Sequence, residues 1–124
     1  MTVLLIAIGA AIGAPLRYLT DRAVQSRHDT VFPWGTITVN VVGSFILGLL
    51  IHGVSVHHVS GGVNALLGVG FCGALTTYST FGYETVRLVE DGVRAYAVLN
   101  VVAGIVAGLG AAFCGIAVAE ALWP

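Results

Sequence analysis

Residues 61–89 read GGVNALLGVGFCGALTTYSTFGYETVRLV, and the fold turns on how this stretch divides. Residues 61–75 are rich in Gly and Leu and read as helix. Positions 76–80 then hold three Thr and one Ser around Tyr78, just after Gly70 and Gly73. β-Branched side chains lose rotamer freedom in a helix, and Ser and Thr hydroxyls compete for its backbone hydrogen bonds. The pattern predicts a helix broken near its middle that resumes through Glu84 to Val89. Such a break survives in lipid only where protein or a water-filled path surrounds the freed backbone groups.

The flanking sequence indicates that lipid is the solvent. Hydrophobic residues make up 57% of the 124-residue chain and charged residues 9%, against about 25% charged in soluble domains. All basic charge is on five Arg, with no Lys, and six Asp and Glu oppose them. A domain this small has most of its residues near the surface. The composition therefore excludes a free-standing soluble enzyme, a nucleic-acid binder with a basic face, and a disordered linker. From residue 30 to residue 83 there is no Asp, Glu, Lys or Arg. That run has room for two spans of about 20 residues with a turn between them. Met1 to Leu16 is also uncharged, and it lacks the basic start and cleavage pattern of a leader.

The expected architecture is an all-α membrane protein, a single domain over 1–124 with four spans at about 2–20, 33–51, 61–89 and 95–122. Pro15 lies near the end of the first span, and Pro33 suits the first turn of the second. Gly9 and Gly13, then Gly43, Ser44 and Gly48, then Gly104, Gly108 and Gly115 give small-residue faces that let helices approach closely in lipid. Cys72 and Cys114 sit in apolar segments and read as inert packing. His52, His57 and His58 share a loop without acidic or thiol neighbours, which reads as a solvated loop before it reads as a metal site.

Polar groups inside the spans need a partner or a purpose. Thr36, Asn40 and Ser44 are spaced by four and share one face of the second helix. The third span carries the Thr and Ser cluster, and the fourth carries Asn100. These groups are neutral donors and acceptors, with no nucleophile beside a base, so the chain does not read as an enzyme. They suit a small ion stripped of water, or else they join helix to helix.

Gly13-Ala14 with Arg17-Tyr18, Gly35-Thr36, Val39-Asn40, Gly43-Ser44-Phe45, and Gly73-Ala74-Leu75-Thr76-Thr77-Tyr78-Ser79-Thr80-Phe81 followed by Glu84 resemble the Fluc (CrcB) fluoride channels. The resemblance covers the first three spans, and the fourth matches in general character. It implies a dual-topology antiparallel dimer in a bacterial-type inner membrane, passing fluoride passively out of the cytoplasm to limit toxicity. It implies a structural sodium ion held by the backbone carbonyls of Gly73 and Thr76. It also implies a fluoride path past Asn40, with Tyr78 and Phe81 as edge-on aromatic walls and Thr36, Ser79 and Thr80 contributing hydroxyls. Tyr78 stands where the family usually has Phe. Arg17 and Glu84 correspond to the family's first-helix Arg and third-helix Glu. From its row and its motif, Asn40 is expected to donate its amide hydrogens to fluoride.

Each assignment has a plainer counterpart. Tyr78 and Phe81 can be helix packing, Arg17 a residue snorkelling from a helix end, and Glu84 a carboxylate near water. As whole functions, the rivals are a small dual-topology multidrug transporter and a structural subunit of a membrane complex. The transporter needs an embedded acid in its first helix, and residues 2–20 hold none. Arg17, Arg22, Arg27, Arg87 and Arg94 all lie in or beside the loops after the first and third spans, while the termini and the His52 loop have no Arg or Lys. The positive-inside rule would fix one orientation, whereas an antiparallel homodimer needs both. Either embedded Arg residues go uncounted, or the natural partner is an oppositely oriented homologue.

Overall fold

The computed structural model describes residues 1–29 and 31–124, and all regular structure among them is helical. Helix α1 spans Thr2–Gln25 and α2 spans Trp34–Ser55. Helix α3 covers residues 61–75, α4 is Ser79–Glu90, and α5 is Arg94–Leu122. Three helices, α1, α2 and α5, are each long and apolar enough to cross a membrane. The third span is divided into α3 and α4, and neither half reaches that length alone.

Helix α1 outruns the span expected to end at Thr20. Nothing in Asp21 to Gln25 breaks a helix, and the Arg22 guanidinium donates to the Tyr18 hydroxyl one turn back (3.3 Å). The apolar window ends at Thr20 but the helix does not, so Asp21 is a helical residue. Pro33 is not in the first turn of α2 but at its N-cap, with φ −81° and ψ 71°. It still accepts a bond from the N–H of Ile37 (3.3 Å).

The start of α3 has an ordinary cap: the Val63 N–H donates to the Ser60 hydroxyl (3.1 Å). Over Asn64–Cys72 the winding widens to a π-helix, a departure from α geometry that often accompanies functional sites. This stretch faces α1 at backbone distance. A methyl on Gly9 would run into the Leu66 carbonyl, and one on Gly13 into the Phe71 carbonyl. The turn from α4 to α5 is a Schellman motif. Gly92 takes φ +80°, its N–H bonds the Val89 carbonyl (3.1 Å), and the Val93 N–H bonds the Leu88 carbonyl (3.0 Å).

Helix α5 lies along α2, and again glycine sets the approach. A methyl on Gly48 would strike the Ala112 carbonyl, and one on Gly115 would strike the Phe45 carbonyl. In lipid, where apolar side chains gain little by leaving their solvent, such close contact is what joins helices. These crossings fix α2 against α5 and α1 against α3, leaving the break between α3 and α4 beside the middle of α2.

Gly115→Val should therefore force α2 and α5 apart, at a cost of at least about 1–3 kcal/mol because the obstacle is backbone. Size-exclusion chromatography in detergent should show loss of the folded species. Gly110→Ala, where a Cβ meets nothing within 4 Å, should behave as the parent. Equal behaviour of the two variants would contradict this packing.

Candidate functional site

The break is built by its own threonines. Thr76 turns extended (ψ 157°), and both its hydroxyl and its N–H donate to the Cys72 carbonyl (2.8 and 2.9 Å), closing α3. Thr77 opens α4, its hydroxyl accepting from the Thr80 N–H (3.2 Å). The Thr77 N–H would bond the Gly73 carbonyl in a continuous helix. Instead it donates to Asn40 Oδ1 (2.8 Å), while Asn40 Nδ2 donates to the Thr77 carbonyl (3.0 Å). One side chain on α2 thus satisfies both groups of the Thr77 residue. Among the described residues no hydrogen bond reaches the carbonyls of Gly73 or Thr76. Gly43, one turn after Asn40, is buried against the Thr76 methyl.

An open cavity of about 440 Å³ faces this break. Asn40, Ser44, Gly73, Thr76, Thr77, Tyr78 and Phe81 line it, joined by Gly104, Ile105 and Gly108 of α5. No ionised side chain is in its wall. Tyr78 is 85% exposed, its ring centroid 6.3 Å from that of Phe81 with the planes at 39°. Phe81 lies over Gly104, where an added Cβ would stand 2.7 Å from its Cε1. Gly104 and Gly108, read from sequence as helix-packing glycines, here form a cavity wall.

Two smaller cavities adjoin. One of about 130 Å³ shares Thr77 with the first and is lined by Arg17, Tyr18, Asp21, Thr36 and Thr80. The other, about 220 Å³, shares Asp21 with the second and holds Glu84, Arg87 and Asp91. Thr36 is fully buried, and its hydroxyl donates to the Glu84 carboxylate, joining α2 to α4. Arg87 stands 3.8 Å from Asp91 on the exposed face of α4, a surface pair of little consequence for stability.

The sequence-derived residues are thus divided among these spaces. Asn40, Tyr78, Phe81, Gly73 and Thr76 share the large cavity. Thr36, Thr80 and Arg17 share the next, and Glu84 the third, while Ser79 is exposed and in the wall of none of the three. The use of Asn40 differs from expectation: its oxygen and one amide hydrogen are committed to Thr77. Asn100 and Thr85, which sequence reasoning left without a role, are hydrogen-bonded across α5 and α4 (2.9 Å). The signal for Asn100 was its isolation in a long apolar helix. His52, expected in the loop, lies instead in the last turn of α2, because nothing in residues 52–55 breaks the helix; its Nε2 is 2.7 Å from the Trp123 carbonyl, and His58 stacks on the Trp123 ring.

Comparison with known proteins now bears on this geometry. A family model described as CrcB-like protein, Camphor Resistance (CrcB), matches residues 4–116. A fluoride-specific ion channel FluC 1 of Streptomyces avermitilis is 58% identical over 123 residues, with 99% of each chain covered. A FluC 1 of Frankia casuarinae is 56% identical over 128 residues, with 99% of each chain covered. A FluC 2 of Rhodococcus jostii is 52% identical over 115 residues, covering 93% of this chain and 96% of its own. With the apolar helices and the clamped break, these matches make the chain a multi-pass membrane protein that belongs to the CrcB-like family.

Proposed function

We propose that this chain is a passive, fluoride-selective channel that lets cytoplasmic fluoride leave a bacterial-type cell. The observation that carries the reading is the clamped break opening on a cavity where amide, hydroxyl and ring groups stand beside aliphatic Leu47 and Ile105, with no ionised side chain among the described residues of its wall. Conduction needs binding weak enough to release the ion. Aromatic edges and neutral donors meet that need, since a ring edge is positive without being a formal charge. Asn40 retains one amide hydrogen beyond its bond to Thr77, and that hydrogen is available to an anion in the cavity. No covalent step is required, so the reading is not that of an enzyme.

A sodium ion fits the donor set at the break. Hard cations prefer oxygen ligands, and unwound backbone carbonyls in a membrane commonly serve them. The unpaired carbonyls of Gly73 and Thr76 would hold it. When bound, sodium supplies fixed positive charge beside an anion path. An antiparallel dimer is the assembly this reading favours, whether of one chain or with an oppositely oriented homologue. Tyr78, 85% exposed on the single chain, has an apolar ring that such a partner would cover. The rival multidrug transporter gains Asp21 as a helical acid, but that residue shares its cavity with Arg17 near the end of α1. The relatives named above are channels, which supports the fluoride reading over this rival.

Liposomes containing only this protein should release fluoride when the membrane potential is shunted, and retain chloride. Absence of release would overturn the reading. Asn40→Asp keeps the acceptor for the Thr77 N–H, removes the donor, and adds a carboxylate to the path. Flux should fall about a hundredfold, the scale of a charge buried in mid-membrane. Normal flux in that variant would remove Asn40 from the path.

Orientation is tested by one-sided thiol labelling of intact cells with Gly61→Cys in a background lacking Cys72 and Cys114. Gly61 is exposed, with open space where the Cβ would stand. About half the copies should react from outside if insertion is dual, against the Arg bias. Complete outside labelling would show a fixed orientation and require a paired homologue. No labelling before permeabilisation would show one fixed orientation opposite to the Arg bias and would contradict both explanations of that bias.

A further inference from the structure

From residue 97 to residue 119 of α5, Asn100 is the one side chain bearing an amide, hydroxyl or charge. It is completely buried. Its Nδ2 donates to Thr85 Oγ1 (2.9 Å), and the Thr85 hydroxyl donates to the Phe81 carbonyl (2.9 Å). With its own hydrogen committed to Phe81, Thr85 has only acceptor capacity left. The amide must therefore present its nitrogen, which orients Asn100. Asn100 Oδ1 has no partner among the described residues. A buried amide oxygen left unpaired is costly, so the value of Asn100 lies in the one bond it makes. One turn further along the same face, Gly104 seats the Phe81 ring. Helix α5 therefore holds Phe81 at two points, the carbonyl through Thr85 and the ring through Gly104.

We infer that Asn100 is a positioning residue: acting through Thr85, it registers α4 on α5 so that the Phe81 ring keeps its place in the cavity wall. This rests on the reading of Phe81 as part of the fluoride path. A leucine would fill the same space and pack as well, but it would leave the angle and slide of α4 to unspecific contact. An oriented hydrogen bond inside an apolar helix pair selects one register.

The test combines fluoride efflux from liposomes with fluorine NMR of para-fluorophenylalanine placed at position 81. Asn100→Leu and Thr85→Val should each lower flux about tenfold, the scale of one lost buried hydrogen bond, and shift or broaden the resonance. Thr85→Ser keeps the hydroxyl and should recover flux to within about twofold with the parent resonance. Should Asn100→Leu fail to fold, the Thr85 pair decides alone. Parent flux in both Asn100→Leu and Thr85→Val overturns the inference, as does lost flux with an unchanged resonance. Phe81→Ile separates the two levels. If it abolishes flux while the Asn100 and Thr85 variants keep parent flux, the positioning role alone fails. If it leaves flux intact, the reading of Phe81 fails and the inference with it.

Discussion

A helix broken inside a membrane must find partners for the groups it releases, and here one asparagine serves two of them. Unsatisfied backbone in hydrocarbon costs several kcal/mol per group. Asn40 accepts from the Thr77 N–H and donates to the Thr77 carbonyl, so the break is held open at one residue by a side chain on another helix. Thr76 and Thr77 finish the arrangement locally, one closing α3 and the other starting α4. The break is thereby a determined structure, and among the described residues the carbonyls of Gly73, Ala74, Leu75 and Thr76 remain open acceptors there. The Gly73 carbonyl is free because Asn40 has taken the Thr77 N–H, and the Thr76 carbonyl because the Thr80 N–H turns to the Thr77 hydroxyl.

The remaining helices serve this one. Glycines at 9, 13, 48 and 115 bring backbones together where side chains would hold them apart. Close approach compensates for the absence of a hydrophobic drive between helices in lipid. Gly43 makes room for the Thr76 methyl, and Gly104 for the Phe81 ring. The same residue type thus supports the bundle at some positions and shapes the cavity at others. Thr36 with Glu84, and Asn100 with Thr85, tie the second half-helix to α2 and α5. Both ties run to α4.

Much of this was legible in the sequence. The break falls at Thr76 within the stretch of poor helix formers, because β-branching and hydroxyl competition are local properties. The row of Thr36, Asn40 and Ser44 follows from helical spacing, although its members line different cavities. What spacing cannot convey is the partner of a polar group. Asn40 and Thr77 lie 37 residues apart, and composition says nothing of their pairing. The π-winding of Asn64–Cys72 was equally invisible, since a wider turn uses the same Gly and Leu as an α-helix. Helix α1 passed its expected end because charge ends a span but not a helix. Asn100 was noticed and left unassigned, for its meaning depends on which face of α5 meets α4.

The Asn40 clamp is tested most directly by amide hydrogen exchange at Thr77, read by NMR on threonine-labelled protein, comparing the parent with Asn40→Ala. The Thr77 N–H has no helical acceptor, so protection there has one source in this structure, the oxygen of Asn40. The account predicts a slowly exchanging Thr77 amide in the parent and loss of that protection in Asn40→Ala, while the Thr76 amide, bonded within α3, stays protected. A Thr77 amide that exchanges freely in the parent, or remains protected without Asn40, would contradict it.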